Sequence, residues 1–135
     1  MSNFLAVATV TATLCQILDD AVSKDINGAS ATAVRPNAPS NLLPNPGVNV
    51  YLYQITPNAA WRNADVPTRS ADGGLVQRPR TAIDLHYLLT FHGDDSRLEP
   101  QRVMGSAIRA LHEQPVLSRQ KIRSVIKAAI TSDPQ

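Results

Sequence analysis

The sequence contains a single cysteine, Cys15, so no disulfide can form within the chain, and the thiol is compatible with a reducing compartment. It has no uninterrupted apolar run of about 18 residues or more, which argues against a membrane-spanning helix. Its first residues lack the basic and apolar stretches of a secretory signal. The 13 basic and 11 acidic residues give a net charge of only +2, too small to favour nucleic acid or an anionic membrane as a partner. We therefore expect assembly in the cytoplasm.

Motifs of common catalytic and nucleotide-binding sites are also missing from the sequence. It has neither a GxGxxG nor a P-loop pattern, and Ser96 and Ser118 lack the context of a nucleophile elbow. Asp84, His86 and His92 are the one group that could bind a metal or act as an acid–base pair. Because the His-x-His and His-x-x-x-His spacings of metal sites are absent, we interpret Asp84 and His86 as residues of a sheet face or subunit contact. No metal, cofactor or enzymatic activity is expected.

Two segments alternate strictly between the two faces of a pleat, which is typical of half-buried β-strands. In residues 47–57, GVNVYLYQITP, one face carries Val48, Val50 and Leu52. In residues 81–93, TAIDLHYLLTFHG, one continuous apolar face consists of Ile83, Leu85, Tyr87, Leu89 and Phe91. Such a face needs a helical cover, so we expect an α/β (α+β) fold with a mixed or antiparallel sheet packed against helices.

Three helices are predicted to provide that cover. The first spans residues 3–24 and can be capped by Ser2 or Asn3. Its apolar stripe is Val7, Val10, Leu14, Ile17, Leu18, Ala21 and Val22. The second begins near Pro100 and ends at Pro115, with a buried stripe of Val103, Met104, Ala107, Ile108 and Leu111. The third follows a cap at Ser118. Its inward residues are Ile122, Val125, Ile126 and Ala129, and its solvated residues are Arg119, Lys121, Arg123 and Lys127.

Between the first helix and the first long strand, residues 30–35 predict a short strand, and a proline-rich segment follows it. We call residues 36–46 the proline-rich arm. Its prolines predict a stiff, extended connection without a regular element. Leu42 and Leu43 within the arm are apolar residues in a polar context. We expect both to be anchored on a neighbour, either in this chain or in another.

The two long strands are separated by a polar segment, residues 57–80, which we call the long loop. Its Ala71-Asp72-Gly73-Gly74 sequence predicts a tight turn, so we expect a projecting β-hairpin with arms Val66–Ser70 and Leu75–Arg78. Tryptophan and arginine are enriched at binding hot spots, so we predict a protein interface at Trp61, Arg62, Asn63, Asp65, Arg69, Arg78 and Arg80. Two alternatives stay open: the charges are merely solvated, or Trp61 folds back as a lid on the sheet.

Five stretches of the sequence read MSNFLAVATVTATL, NVYLYQITPNAAWRNADVPTR, DGGLVQRP, DLHYLLTFHGDD and LEPQRVMGSAIRALHEQPVLSR. They resemble a domain family from contractile injection systems, the phage-tail-like particles of the antifeeding-prophage and Photorhabdus-virulence-cassette type. The resemblance covers nearly the whole chain, from Ser2 to about Ile130. It lies in long runs of matching residues rather than in a catalytic signature.

The resemblance implies a tail-terminator or cap protein, a subunit of a hexameric ring that closes the end of the tube and sheath. The implied partners are further copies of the chain and the tube and sheath subunits. The resemblance also implies that the protein is assembled in the bacterial cytoplasm. It then forms part of a particle that can be released. Members of that family usually extend well beyond this length, so we expect one domain over residues 1–135, truncated or naturally short. Two other classes stay open: a small enzyme using Asp84, His86 and His92, and a generic oligomeric adaptor.

Overall fold

A computed structural model describes residues 4–58 and 82–132, with side chains as far as residue 128. The elements in chain order are α1 (Ala6–Asp25), β1 (Ser30–Thr32), β2 (Gly47–Pro57), β3 (Ile83–His92), α2 (Glu99–Glu113) and α3 (Arg119–Ser132). The described strands form a three-stranded mixed sheet in the order β1-β2-β3. This confirms the predicted α/β fold with an N-terminal helix and two C-terminal helices. The predicted hairpin of the long loop lies outside the described residues.

The chain divides into two compact units, Met1–Tyr51 with Leu88–Gln135, and Leu52–Tyr87. The core described next belongs to the first unit. Its buried apolar side chains come from α1, the start of β2 and α2, with two more from the segment that follows α1. They are Ile17, Leu18, Val22, Ile26, Ala29, Val48, Val50, Val103, Ala107 and Ala110. Because α1 contacts β1, α2 and α3, it is the central element of this unit.

Helix α1 begins later than the sequence predicts. Its N-cap is Leu5, which makes no side-chain cap, so the predicted cap at Ser2 or Asn3 is wrong. The carbonyl of Leu5 accepts bonds from the N–H and the hydroxyl of Thr9, both at 2.8 Å. In the same way the Thr13 hydroxyl donates to the carbonyl of Thr9 at 2.7 Å, which lets Thr13 be fully buried. These bonds explain how the helix accommodates its threonines.

Strand β2 has the predicted bounds, and β1 is shorter than predicted. Strands β1 and β2 are parallel, with Ser30, Ala31 and Thr32 opposite Gly47, Val48 and Asn49. Val48 and Val50 are buried as their alternation predicts. β1 ends at Thr32 rather than at residue 35, because the side chain of Asn49 bonds the main chain of Val34 where the strand ladder would continue.

In the second unit, β2 and β3 are antiparallel. Asn58 N–H donates to the carbonyl of Ala82 at 3.0 Å, and the Thr56 hydroxyl lies 2.9 Å from Nε2 of His86. The residue numbers of paired positions therefore rise along β2 while they fall along β3, as in an antiparallel pair. Ile83, at the start of the predicted apolar face of β3, is 42% exposed, so that part of the face is not covered.

The buried face of α2 differs from the predicted stripe. The helix begins at Glu99 with Pro100 in its first turn and ends at Glu113, as expected. Its buried residues are Val103, Ser106, Ala107 and Ala110. Met104 and Ile108 are 41% and 49% exposed, so their predicted burial is wrong. Ser106 Oγ donates to Asp25 Oδ2 of α1 at 2.7 Å, so this side of α2 faces α1.

Helix α3 is capped as predicted, because Ser118 Oγ accepts from Lys121 N–H at 3.1 Å. Lys121 is not simply solvated, however, since its Nζ lies 2.9 Å from the Asp20 carboxylate of α1. Burial opposes ionisation of Asp20, but the hydrogen bonds from Lys121 and Gln16 outweigh it and lower the pKa of this carboxyl. Ile122 and Val125 are half-buried, and Ile126, predicted to face inward, is 41% exposed.

Candidate assembly surfaces

The proline-rich arm starts from a hydrogen-bonded anchor in the sheet. Asn49 is 2% exposed and lies on β2 beside the two core valines. Its Oδ1 accepts from the Thr32 hydroxyl at 2.8 Å and from Val34 N–H at 3.0 Å. Its Nδ2 donates to the Val34 carbonyl at 3.0 Å. A buried amide with all three bonds fixes the path of the chain into the arm.

The other end of the arm is fixed by a close backbone approach at Gly47. A Cβ atom built there would lie 2.1 Å from the Ser30 carbonyl oxygen and 2.4 Å from Cβ of Pro44. Ser30 N–H donates to the carbonyl of Pro46, the residue before Gly47, at 3.3 Å. Only glycine fits this junction, where β1, the arm and β2 meet. Both ends of the arm are therefore held by β1 and β2.

The structure separates the two leucines of the arm. Leu42 ends a 3-10 turn, Ser40–Leu42, and is 49% exposed. Leu43 is half-buried and lines a cleft of about 100 Å³, whose other walls are Pro36, Asn49, Tyr51, Leu88, Thr90 and His92. Leu43 is thus anchored within the chain, as one of the two expectations has it. Leu42 remains an apolar side chain at the surface.

The other seven predicted interface residues lie outside the described residues: Trp61, Arg62, Asn63, Asp65, Arg69, Arg78 and Arg80. What the structure gives for the long loop is its flanks. The bond from Asn58 N–H to the Ala82 carbonyl joins the two ends at 3.0 Å. Next to it, Asn58 Nδ2 donates to Asp84 Oδ1 at 2.8 Å. The segment between them therefore starts and ends at neighbouring points.

The residues of the alternative catalytic site each have a separate local partner. Asp84 accepts from Asn58, and His86 is paired with Thr56 and lies beside Tyr53, with ring centroids 6.2 Å apart. Nε2 of His92 lies 2.9 Å from the hydroxyl of Thr90. Across residues 4–58 and 82–132, no three His, Cys, Asp or Glu side chains are grouped so that they could hold a metal ion.

Asp94 and Cys15 both lie in surroundings that shift the pKa of their side chains. Asp94 accepts from Ser96 hydroxyl and N–H at 2.6 and 2.9 Å, and these bonds lower the pKa of Asp94. Its turn leads into α2. Cys15 is half-buried, and burial, followed by the nearby charge of Asp19, raises the pKa of its thiol. No helix within the described ranges is long and apolar enough to cross a bilayer.

Asn49, which fixes the arm, is not among the residues that the sequence predicts to be important. A signal for it exists in the sequence, since Asn49 is a polar residue between two core valines and next to a segment rich in proline. The alternation of β2 puts it on the face opposite Val48 and Val50, where a solvated side chain would be the ordinary expectation. Only the path of residues 32–34 across that face makes it buried and bonded.

These features define an α/β protein that exposes several large apolar side chains among its described residues. The chain belongs to the Pvc16 N-terminal domain family, whose model matches residues 9–135. Searches of curated proteins and of solved structures found no match. The family membership associates the chain with the Photorhabdus virulence cassette, a contractile injection system, in agreement with the resemblance seen in the sequence.

Proposed function

We propose that this protein is a cap or tail-terminator subunit, which forms a ring that closes the end of the tube and sheath of a contractile injection particle. The observation that carries the proposal is the family match, which extends over residues 9–135 and thus over nearly all of the chain. In this role the protein binds further copies of itself, in a hexamer, and the tube and sheath subunits. It is assembled in the bacterial cytoplasm.

Features of the described residues are compatible with this role and support it. A ring subunit must present surfaces to several neighbours at once. Leu42 at the tip of the proline-rich arm and Met104 and Ile108 on α2 are large apolar side chains at 49%, 41% and 49% exposure. The flanks of the long loop are joined at Asn58 and Ala82, so that loop can be presented to a partner by a fixed pair of strands.

We propose that the role is structural and not catalytic. Catalysis by Asp84, His86 and His92 would require at least two of them to act on one substrate atom or water. Instead, the hydrogen bonds of Asp84 and His86 go to Asn58 and Thr56 of the neighbouring strand. These contacts are what residues of a sheet surface make. Elemental analysis of the purified protein should therefore find no stoichiometric zinc or manganese, and finding either would favour the enzyme.

The proposal is tested by removing the gene from a strain that makes the particle and restoring it on a plasmid. Without the protein, we expect tubes and sheaths of variable length with open ends, and the plasmid should restore one length. Negative-stain images of the purified protein should show rings with a central hole. Particles of normal, uniform length without the protein would contradict the cap role and leave an adaptor as the better description.

A further inference from the structure

The turn that follows α1 contains the only Asn-Gly dipeptide of the sequence, Asn27-Gly28. Ala29 N–H donates to the carbonyl of Ile26 at 3.1 Å, which closes a β-turn with Asn27 and Gly28 at its two central positions. Gly28 has φ +80° and Asn27 a negative φ, a combination typical of a type II turn with glycine at its third position. Both residues are exposed, so the turn presents an asparagine side chain and the next main-chain amide to solvent.

The polar groups of this dipeptide are not engaged in the fold. Neither the side-chain amide of Asn27 nor the N–H of Gly28 makes a hydrogen bond to any described residue. A Cβ atom built on Gly28 would meet no atom within 4 Å, so neither a side chain nor the main chain crowds this position. The nitrogen of Gly28 can therefore approach the side chain of Asn27 without first breaking a contact to another described residue.

The other exposed asparagines of the described residues differ from Asn27 in this respect. After Asn37 and after Asn41, the N–H of the next residue donates to a main-chain carbonyl, at 3.0 and 2.9 Å. Asn45 is followed by Pro46, which has no N–H. Each of these three is also followed by a residue with a side chain, which hinders attack by the main-chain nitrogen. Asn27 thus combines an exposed amide with an unbonded glycine nitrogen.

We propose that Asn27 is a site of spontaneous deamidation, a covalent modification in which the nitrogen of Gly28 attacks Cγ of Asn27. Asparagine is among the thermolabile residues of proteins, and a nucleophile held next to its target in the same chain has a large advantage. The bond from the glycine nitrogen to Cγ forms and the Cγ–Nδ2 bond breaks. Nδ2 leaves as ammonia with the proton of the glycine nitrogen, and a five-membered succinimide ring remains.

One water molecule then opens the succinimide at either of its two carbonyls. Opening at Cγ yields aspartate and restores the ordinary main chain. Opening at the main-chain carbonyl yields isoaspartate, in which the chain runs through Cβ and Cγ. The net reaction consumes one water and releases one ammonia, with no oxidation or reduction. Water is thus the single co-reactant, and no enzyme or cofactor is needed.

Isoaspartate would disturb the fold because the turn joins two fixed points. Ile26 and Ala29, on either side of the dipeptide, are 4% and 5% exposed. Ile26 N–H donates to the carbonyl of Val22 in α1 at 2.8 Å, and Ser30 N–H donates to the carbonyl of Pro46 at 3.3 Å. Isoaspartate lengthens the main chain by one carbon atom between these points. We therefore expect the turn to open and β1 to lose its alignment with β2.

Either product also adds a negative charge beside the C-terminal end of α1. Asp25 lies there already, with its carboxylate bound by Ser106 and Arg109. The C-terminal end of a helix carries a partial negative charge, so a further anion is unfavourable. The deamidated protein should be less stable, and the dipeptide therefore limits the chemical lifetime of the protein. This inference is independent of the cap role.

The modification is tested by incubating the purified protein at mildly alkaline pH, where the glycine nitrogen loses its proton more readily. Fragment-ion mass spectrometry follows each asparagine over time. We expect conversion of Asn27 to aspartate and isoaspartate while Asn37 and Asn41 stay intact. Protein isoaspartyl methyltransferase, which methylates isoaspartate and not aspartate, distinguishes the two products. In Asn27→Gln the ring would have six members and form far more slowly, so this variant should not become a methyl acceptor.

A comparison with fresh Asn27→Asp separates the effect of charge from that of the longer main chain. This variant carries the new carboxylate on an ordinary main chain. We expect the isoaspartate form to melt at a lower temperature than Asn27→Asp. Its main-chain amides at Ser30 and Ala31 should also exchange faster, because they depend on the alignment of β1. Asn27→Gln should keep its melting temperature over the same period of incubation.

Two results would overturn the proposal. If Asn27 reacts no faster than Asn37 and Asn41, the open turn does not promote the reaction. If the isoaspartate form melts at the same temperature as Asn27→Asp, the turn tolerates the longer chain and the modification does not limit the lifetime of the fold. Asn27→Ser, which has no side-chain amide, serves as the unreactive variant if Asn27→Gln does not fold.

Discussion

The side-chain amide of Asn49 and the main chain of Val34 exchange two hydrogen bonds, both 3.0 Å long, in the way that two residues pair in a sheet. The amide thus takes the place of a backbone unit at the point where β1 ends. Because Asn49 is 2% exposed, neither water nor another described side chain can replace it easily.

Replacing Asn49 by alanine should destabilise the protein. The change leaves Val34 N–H and carbonyl without their partner, and each unsatisfied buried group costs about 1–3 kcal/mol. Urea unfolding should therefore show a loss of at least about 1–3 kcal/mol for Asn49→Ala. Asn41→Ala is the control, since Asn41 is exposed on the 3-10 turn of the arm. Equal stability of the two variants would contradict the anchoring role of Asn49.

The contact between α1 and α2 should make stability depend on pH. Ser106 Oγ donates to Asp25 Oδ2 at 2.7 Å, and Arg109 pairs with the same oxygen. The bond from Ser106, followed by that from Arg109, lowers the pKa of Asp25 below its ordinary 3.8. A carboxyl with a lowered pKa in the folded state stabilises the protein above pH 3.8, and that stability is lost as the pH falls through the folded-state value.

We therefore expect the wild type to lose more stability than Asp25→Asn between about pH 5 and pH 2, as followed by thermal unfolding. Asp95→Asn, at an exposed aspartate, is the control for a general effect of charge. Parallel curves for wild type and Asp25→Asn would show that Asp25 does not link the two helices.

Core leucines and sheet leucines should differ in what they contribute. Leu18 is fully buried at the centre of the first unit, and its replacement by alanine should cost about 2–5 kcal/mol. Leu85 is half-buried in the second unit, so Leu85→Ala should cost less. The midpoints of denaturant unfolding of the two variants are compared. The comparison requires that the unfolding free energy falls with denaturant concentration at the same slope in both. A larger loss for Leu85 than for Leu18 would contradict the assignment of the core.

The two leucines of the arm should have separate effects on stability and on assembly. Leu42→Ser changes an exposed side chain. It should weaken binding of the protein to the particle, with little change in the melting temperature of the isolated protein. Leu43→Ser removes a wall of the cleft beside Tyr51 and Leu88, so it should lower the melting temperature. If Leu42→Ser instead destabilises the isolated subunit, the tip is packed and not free to bind.

The long loop is predicted to mediate assembly. Interfaces concentrate their energy in a few aromatic and arginine residues, so Trp61→Ala combined with Arg69→Ala should weaken association by about 2 kcal/mol or more. The double variant is expressed with tube and sheath subunits, and particle length and ring formation are compared with wild type. Arg102→Ala on α2 is the control for loss of an exposed arginine. Particles of normal, uniform length with the double variant bound at full occupancy would show that the loop is not the interface. The interface would then be assigned to the proline-rich arm.

Sequence patterns predicted the strands better than the helix faces. The alternation in residues 47–57 gives β2 with its observed bounds, because period two is a direct property of the pleat. The buried side of α2 was not predictable in the same way. An apolar stripe through Met104 and Ile108 is the more hydrophobic choice, yet Ser106 and Ala110 are buried, and Ser106 donates to Asp25 of α1.

For the proposed interface, the sequence makes its composition visible. The leucines of the arm and Trp61 of the long loop are apolar residues in a polar context, and four arginines lie in the same loop as Trp61. That Leu43 packs inside the chain while Leu42 does not depends on the turn at Ser40–Leu42, which no periodicity encodes. The position of β1 at one edge of the described sheet likewise depends on strand order, which follows from long-range pairing and not from local sequence.

The junction at Gly47 has a consequence for where the surface of this protein can be altered. One end of the arm is fixed at Gly47, where no larger residue fits, and the other end is fixed by the buried amide of Asn49. The tip of the arm, residues 40–42, is exposed. Sequence variation is therefore forbidden at the base of the arm and permitted at its tip. A binding peptide grafted between Ser40 and Leu42 would be displayed on the same scaffold, which makes the tip a site for redirecting the protein to a new target.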